Sequence, residues 1–279
     1  MPSTRPTPQN LFKQRLMAGE QQIGLWSVLA NGYTAELLAG SGYDWLLIDA
    51  EHGPNDLRSV LQQLQGIAAA GAVLGIDIAE LSQPVVRLPH GDTVLIKQYL
   101  EIGVRNLMIP MVDTPEQAAA LVRAVRYPPH GVRGMGSALG RSSRWGRLND
   151  YVEASDENVC LIVQVETRTA LDNIEAIAAL DGVDGILLGP ADLAADLGHR
   201  DQRDHPEVIE ALHRAIDAIR RAGKPAGIML TDVEATQEWL RQGITFAGVG
   251  VDSSLLVHAA DDLLHRFRPD RAGAPAAAY

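Results

Sequence analysis

Cysteine, lysine and phenylalanine are scarce in this chain of 279 residues, and each scarcity excludes something. With one cysteine, Cys160, no disulfide can form within the chain. Cys160 lies inside an apolar run and reads as a small buried hydrophobe, and its solitude fits a reducing, cytoplasmic compartment. The only lysines are Lys13, Lys97 and Lys224. Lys13 precedes the first strand pattern, Lys97 falls in a helical stretch and Lys224 comes just before a strand, so none stands where a Schiff-base lysine must point. No run of about 18 apolar residues exists to span a membrane. The polar, Pro-rich start over 1–10 has no apolar core of a secretory signal. A formal charge of −11 disfavours nucleic acid and anionic membranes as partners.

What is abundant is apolar sequence, 46% of residues, broken at short intervals by 26 glycines. Eight apolar runs read as buried parallel strands: Ile23–Leu29, Asp44–Asp49, Pro84–Leu88, Asn106–Pro110, Cys160–Val165, Gly185–Leu188, Ala226–Leu230 and Phe246–Val249. Amphipathic stretches separate them: Thr34–Ala39, Leu57–Ala70, Thr93–Ile102, Pro115–Val125, Thr169–Ala178, Pro206–Ala222, Val233–Gln242 and Ser253–Phe267. Asp56, Asp92, Thr114, Thr231 and Asp252 stand where N-caps belong. Eight alternations without a linker predict one α/β domain over 1–279, a closed (β/α)8 TIM barrel, with flexible tails at 1–10 and 269–279. Gly71–Ser82 lengthens the connection into the third strand. Tyr127–Tyr151, rich in Gly, Ser and Arg, reads as a lid or a subunit contact.

In a parallel barrel the active site lies at the C-terminal strand ends. Those ends carry Trp26, then Asp49, Glu51 and His52, then Arg87, Met111, Gln164 and Glu166, Gly189-Pro190-Ala191-Asp192, and Met229. Burying such a mixture unpaired is costly, and a merely structural rim has no need of it. Glu166 and Asp192 close neighbouring strands and offer hard oxygen ligands to Mg²⁺, Mn²⁺ or a similar ion. His52 beside Asp49 has the arrangement of a general base and its orienting carboxylate. Arg87 suits a bidentate grip on a carboxylate or a 2-oxo group. A carbon–carbon lyase without a usable lysine must stabilise its enolate with a metal.

Asp49-Ala50-Glu51-His52, Pro84-Val85-Val86-Arg87, Gln164-Val165-Glu166-Thr167-Arg168 and Gly189-Pro190-Ala191-Asp192-Leu193 resemble the HpcH/HpaI aldolase family, class II pyruvate aldolases on a barrel of the phosphoenolpyruvate/pyruvate type. The similarity runs from about Leu11 to Phe267, and the stretch from Arg126 to Trp145 is most similar to the branch acting on 4-hydroxy-2-oxoheptane-1,7-dioate. The resemblance implies cleavage of a 4-hydroxy-2-oxo acid to pyruvate and an aldehyde of the succinate semialdehyde type, with Mg²⁺, Mn²⁺ or Co²⁺ as cofactor. It assigns Glu166 and Asp192 to the metal, and Arg87 to the substrate's oxo and carboxylate oxygens. It makes His52 with Asp49 the catalytic dyad and places Gln164 near the metal. Gly189, Pro190 and the Ala191 and Asp192 amides become a carboxylate cradle, with Trp26 and Met229 as pocket walls. It also implies a homo-hexamer of dimers that exchange the last helix. The sequence departs from relatives in a longer Gly71–Ser82 stretch and in Met229, where some carry Leu. Sugar-acid aldolases acting on 2-dehydro-3-deoxyglucarate or 2-keto-3-deoxyrhamnonate share the site. A CoA-thioester lyase, with the Tyr127–Tyr151 arginines as a phosphate groove, is the rival enzyme, and a silent barrel used for assembly is the rival of another class.

Overall fold

A computed structural model describes residues 5–269. In chain order its elements are α1 (Leu11–Met17), β1 (Gln22–Ser27), α2 (Gly32–Ala39), β2 (Trp45–Asp49), α3 (Leu57–Leu74), β3 (Gln83–Arg87), α4 (Thr93–Glu101), β4 (Asn106–Ile109) and α5 (Pro115–Val125). They continue with α6 (Tyr151–Asn158), β5 (Cys160–Val165), α7 (Arg168–Asp172), α8 (Ile174–Ala178), β6 (Gly185–Leu188), α9 (Pro190–Asp196), α10 (Pro206–Arg221), β7 (Ala226–Met229), α11 (Val233–Arg241), β8 (Phe246–Val251) and α12 (Asp252–Phe267). The eight strands form one closed parallel barrel in sequence order, with β1 pairing both β2 and β8. The expected (β/α)8 architecture is therefore present.

Strand alternation splits the core in two. Outward residues such as Leu46, Ile48, Val86 and Leu161 meet the helices, while Trp45, Leu47, Val85, Met108, Ile162 and Leu187 fill the barrel. Two tryptophans and two phenylalanines meet in that interior. Trp45 takes edge-to-face contacts from Phe12, Trp26 and Phe246, at centroid separations of 6.1, 5.6 and 6.2 Å. Glycines on adjoining strands make room for the rings: Gly24 against Trp45, Gly227 against Phe246 and Gly248 against Trp26. α1 closes the N-terminal end by driving Phe12 and Leu16 into this cluster.

Several local expectations change. α3 runs on through Gly71 to Leu74 and stops at Gly75, whose φ of +68° suits glycine, so only part of Gly71–Ser82 is a connection. The single helix expected over Thr169–Ala178 is two short ones meeting at Asn173. Asp56, Asp92 and Thr114 cap their helices as expected, but α11 is capped by Asp232 rather than Thr231. Asp252 is the first residue of α12 and not its cap. Its carboxylate instead accepts from Ser27 Oγ and the Val28 and Leu29 N–H groups. Within the expected flexible start, Arg5 bridges to Leu148, Thr7 donates to Asp150 and Asn10 donates to Asn106 and Asn158. Residues 1–4 and 270–279 lie outside the described residues.

The Tyr127–Tyr151 segment is not a lid on the strand C-termini. It joins α5 to β5, and helix-to-strand connections lie at the N-terminal end of such a barrel. It is pinned there by Arg133, fully buried, which stacks on Tyr127 and donates to Ser155, Tyr151 and Glu101. Arg141 also donates to the Ile102 carbonyl at the end of α4. The segment therefore lies across the barrel from the strand C-termini.

The aromatic-against-glycine packing makes a direct prediction. A Cβ at Gly24 would overlap the Trp45 indole, held on three sides by rings. Gly24→Ala is expected to cost about 1–3 kcal/mol by overpacking, read as a lower urea midpoint at unchanged slope. An unchanged midpoint would mean the indole has room to retreat.

Candidate active site

Strand register builds the site. Asp49, the last residue of β2, stands opposite Arg87, the last of β3. Their side chains make a two-pronged bond, Nε to Oδ1 at 3.0 Å and Nη2 to Oδ2 at 2.6 Å, with both residues buried. Burial alone works against the guanidinium's charge, but the Asp49 hydrogen bonds and charge hold it above its ordinary range. Arg87 also lies 5.7 Å from the centre of the Trp26 ring. Its third nitrogen, Nη1, is 2.9 Å from Glu51 Oε2 and 3.5 Å from Gln164 Oε1. The contact with Glu51 is an ion pair without hydrogen-bond geometry, so that carboxylate oxygen, although buried, has no hydrogen bond.

Glu166 follows β5 directly and is almost fully buried. Its Oε1 accepts the Met111 N–H at 2.8 Å, and its Oε2 accepts from the Gln164 amide. Met111 takes up a left-handed backbone, φ +54°, to stand there, a strain of about 1–3 kcal/mol of the kind held at functional sites. Burial pushes the Glu166 carboxyl up to about 7; the Met111 bond opposes this, and the nearby Asp192 and Glu51 charges add to it. Glu51 is raised as well, by burial first, with Arg87 pulling the other way. Asp192 lies in the first turn of α9, which Pro190 opens after Gly189. No other residue fits at Gly189, where a Cβ would lie 2.6 Å from Glu166 Oε2 and 2.9 Å from its Cβ.

One pocket on this rim, with about 490 Å³ of empty space including its open mouth, is lined by Trp26, His52, Arg87, Gln164, Gly189, Pro190, Ala191, Asp192 and Met229, together with Leu187 and Arg203. Every substrate-binding residue expected from the sequence is among them. Asp49 and Glu166 stand behind the wall, bonded to Arg87 and Gln164. Lys13 and Lys224 are tied to carbonyls beside β5 and β6 at the opposite end of the barrel.

The expected His52–Asp49 dyad is not formed. Asp49 takes only the backbone N–H of His52, at 3.3 Å, because Arg87 occupies both carboxylate oxygens. The His52 ring reaches the pocket mouth, 58% exposed, and its nearest carboxylate is Glu51, 3.8 Å away. Sequence reasoning had placed Glu51 and Met111 at strand ends without giving either a role. It missed Arg203, which falls in a polar stretch with no periodicity.

The donor set fits a divalent cation. Glu51, Glu166 and Asp192 crowd one opening, the only buried guanidinium among the described pocket residues is already shared with Asp49, and one buried Glu51 oxygen lacks a hydrogen bond. A cation near Glu166 and Asp192 would offset the burial and the neighbouring negative charges that raise the Glu166 carboxyl.

The HpcH/HpaI aldolase/citrate lyase model matches residues 22–259. The chain belongs to this family. Among relatives, a Pseudomonas aeruginosa protein named hydroxypyruvate/pyruvate aldolase is 53% identical over 96% of both chains. A Klebsiella pneumoniae protein named 4-hydroxy-2-oxo-heptane-1,7-dioate aldolase is 50% identical over 92% of this chain and 94% of its own. The crystal structure of a family member from Burkholderia cenocepacia superposes with a TM-score of 0.87 at 41% identity, covering 93% of this chain and all of that one.

The Glu166 environment sets a pH dependence for the metal-free protein. Its folded carboxyl titrates at about 7 against an ordinary 4.5. Below 4.5 the folded and unfolded forms are both protonated. As pH rises toward 7 the unfolded form ionises first, so stability falls, by on the order of 3 kcal/mol once pH exceeds the folded value. Glu166→Gln removes this titration. With chelator present it is expected to be more stable than the parent at pH 8, and the advantage should vanish at pH 5. An equal difference at both pH values in urea titrations would refute the assignment.

Proposed function

We propose that this chain is a metal-dependent class II aldolase that reversibly cleaves a 4-hydroxy-2-oxo acid to pyruvate and an aldehyde. The observation that carries the reading is one rim pocket where Arg87 faces Glu166 and Asp192 in a lysine-free wall. Relatives at about half identity, named as aldolases, support it. When held by Glu166 and Asp192, a divalent ion such as Mg²⁺, Mn²⁺ or Co²⁺ supplies Lewis acidity at the substrate's 2-oxo group.

The chain's own residues do the rest. Asp49 fixes Arg87 so that Nη1, held beside Glu51 and Gln164 at the pocket wall, is preset for an oxygen that gains charge as the C3–C4 bond breaks. Gln164, on the pocket wall, holds Glu166 in place by donating to its Oε2. The first-turn N–H groups of Ala191 and Asp192 have no partner within α9 and suit the substrate carboxylate. His52 at the mouth takes the 4-hydroxyl proton as the aldehyde carbonyl forms, with Glu51 rather than Asp49 as its neighbouring carboxylate. Protonation at C3 then yields pyruvate. Trp26 and Met229 wall the methyl end.

Relatives of both names are equally similar, so pyruvate and hydroxypyruvate are both to be offered as nucleophile, with succinate semialdehyde as aldehyde. The CoA-lyase alternative loses its support, since the Tyr127–Tyr151 arginines lie across the barrel. A homo-hexamer of dimers exchanging α12 is favoured by that helix. It packs on the barrel mainly at β1 and β8, and Leu256, Leu263 and Phe267 are exposed. Cytoplasmic residence is supported by the buried, free Cys160.

Pyruvate release from 4-hydroxy-2-oxoheptane-1,7-dioate should disappear in EDTA and return with Mn²⁺, Co²⁺ or Mg²⁺. Full activity in chelator, or a borohydride-trapped adduct with pyruvate, would overturn the reading.

Arg87→Lys is not conservative. An ammonium cannot reproduce the two-pronged bond to Asp49 or the fixed third nitrogen. Cleavage should fall by roughly 10²–10³-fold, the scale of a lost donor to developing charge. Exchange of pyruvate methyl protons in D₂O, followed by NMR, should fall with it. Exchange at the parent rate would confine Arg87 to packing.

A further inference from the structure

The turn that carries Glu51 and His52 from β2 into α3 is held by one side chain, Asn55. Its Nδ2 donates to the Asp49 carbonyl at 2.7 Å. Its Oδ1 accepts from Gln63 Nε2 at 2.7 Å and from Ser59 Oγ at 2.8 Å, both on α3. Asn55 thus bonds to the end of the strand and to the start of the helix at once. The chain returns so close to the strand end that a Cβ at Gly53 would lie 2.4 Å from the same Asp49 oxygen and 3.2 Å from Asn55 Nδ2.

The surroundings fix which way the Asn55 amide faces. Gln63 is fully buried. Its Nε2 also donates to the Ser59 carbonyl at 3.2 Å, and its Oε1 faces the Ser27 hydroxyl at 3.5 Å. With the Gln63 and Ser59 donors turned to Asn55 Oδ1, Asn55 presents its own donor to Asp49.

His52 needs such support. Its ring is more than half exposed, makes no hydrogen bond among the described residues, and stands 3.8 Å from its nearest carboxylate, Glu51. The backbone of the turn therefore places the ring. Asp49 Oδ1 pins that backbone through the Glu51 and His52 N–H groups, and Asn55 pins it through the Asp49 carbonyl. We propose that Asn55 is a positioning residue for the general base, holding the turn so that the His52 ring stays at the pocket mouth. The inference rests on the aldolase reading with His52 as base. Arg87, Glu166 and Asp192 serve the oxo acid from other elements, and Asn55 bonds to none of their side chains, so its loss should touch one half of the reaction.

Asn55→Asp puts an oxygen in place of the donor facing the Asp49 carbonyl, while the other oxygen still accepts from α3. Asn55→Ala removes the bonds without adding charge. In both, kcat for cleavage of 4-hydroxy-2-oxoheptane-1,7-dioate with Mn²⁺ should fall by roughly 10–10²-fold, the scale of a catalytic group displaced by about 1 Å. Exchange of pyruvate methyl protons in D₂O should stay near the parent rate. In a His52→Ala background neither change should slow cleavage further, since a residue acting through His52 has nothing left to position. Amide hydrogen exchange at Glu51 and His52 should quicken in both variants. Equal losses of cleavage and methyl exchange, a full further loss on top of His52→Ala, or unchanged amide exchange would overturn the proposal. A parent that neither cleaves the substrate nor exchanges pyruvate sinks the aldolase reading instead, and the amide exchange still decides whether Asn55 holds the turn.

Discussion

The buried pair of Asp49 and Arg87 is the constraint around which this rim is organised. A guanidinium and a carboxylate taken out of water are tolerated only with near-complete pairing, and the β2–β3 register provides it by ending both strands at the same level. Two Arg87 nitrogens and both Asp49 oxygens are spent on that bond. The third nitrogen, Nη1, is directed between Glu51 and Gln164, and Asp49 Oδ1 also gathers the Glu51 and His52 N–H groups. The pair therefore sets the turn after β2 as well as the donor in the pocket. Asp49 bonds to Arg87 and to the backbone, and the His52 ring is left at the pocket mouth.

Around this pair the site carries more negative charge than it can balance alone. Glu166 is gripped on both oxygens yet pushed up to about 7, because burial and two further carboxylates outweigh its hydrogen bonds. Gly189 is the geometric consequence: β6 must pass so near Glu166 that a methyl group has no place. Such frustration is unfavourable in a scaffold and sensible in a site completed by a cation.

Much of this was legible in the sequence because the barrel repeats one simple rule. Buried parallel strands are short apolar runs, and their C-terminal ends are where polar residues interrupt the pattern. That located all eight strands and gathered Trp26, Arg87, Gln164, Asp192 and Met229 to one rim. What failed depended on side-chain direction rather than on spacing. His52 and Asp49 are close in sequence, but Asp49 meets only the backbone of its own turn, at the Glu51 and His52 N–H groups, while Arg87 holds its carboxylate across the β2–β3 pairing. Arg203 was invisible because an aperiodic stretch gives no clue to where it returns. Of the two readings of Tyr127–Tyr151, a lid or a subunit contact, the lid fails because composition carries no sign of which barrel end the segment faces. Its position between a helix and a strand did carry that sign.

The C-terminal helix shows how the periphery is tied to the same rim. Asp252 would ordinarily cap α12, yet its carboxylate is spent on the far end of β1, where it holds Ser27, Val28 and Leu29. Those residues immediately follow Trp26, the wall of the pocket on which Arg87 rests. From Leu255 onward α12 is exposed, so its orientation relative to the barrel depends on this short clamp and on whatever its apolar side chains meet. In the proposed exchanged dimer, the exposed stretch of α12 that would meet a partner begins three residues after Asp252, which positions the end of β1. Assembly and pocket geometry would then share a single hydrogen-bonded corner, with the aldehyde-accepting mouth as its neighbour.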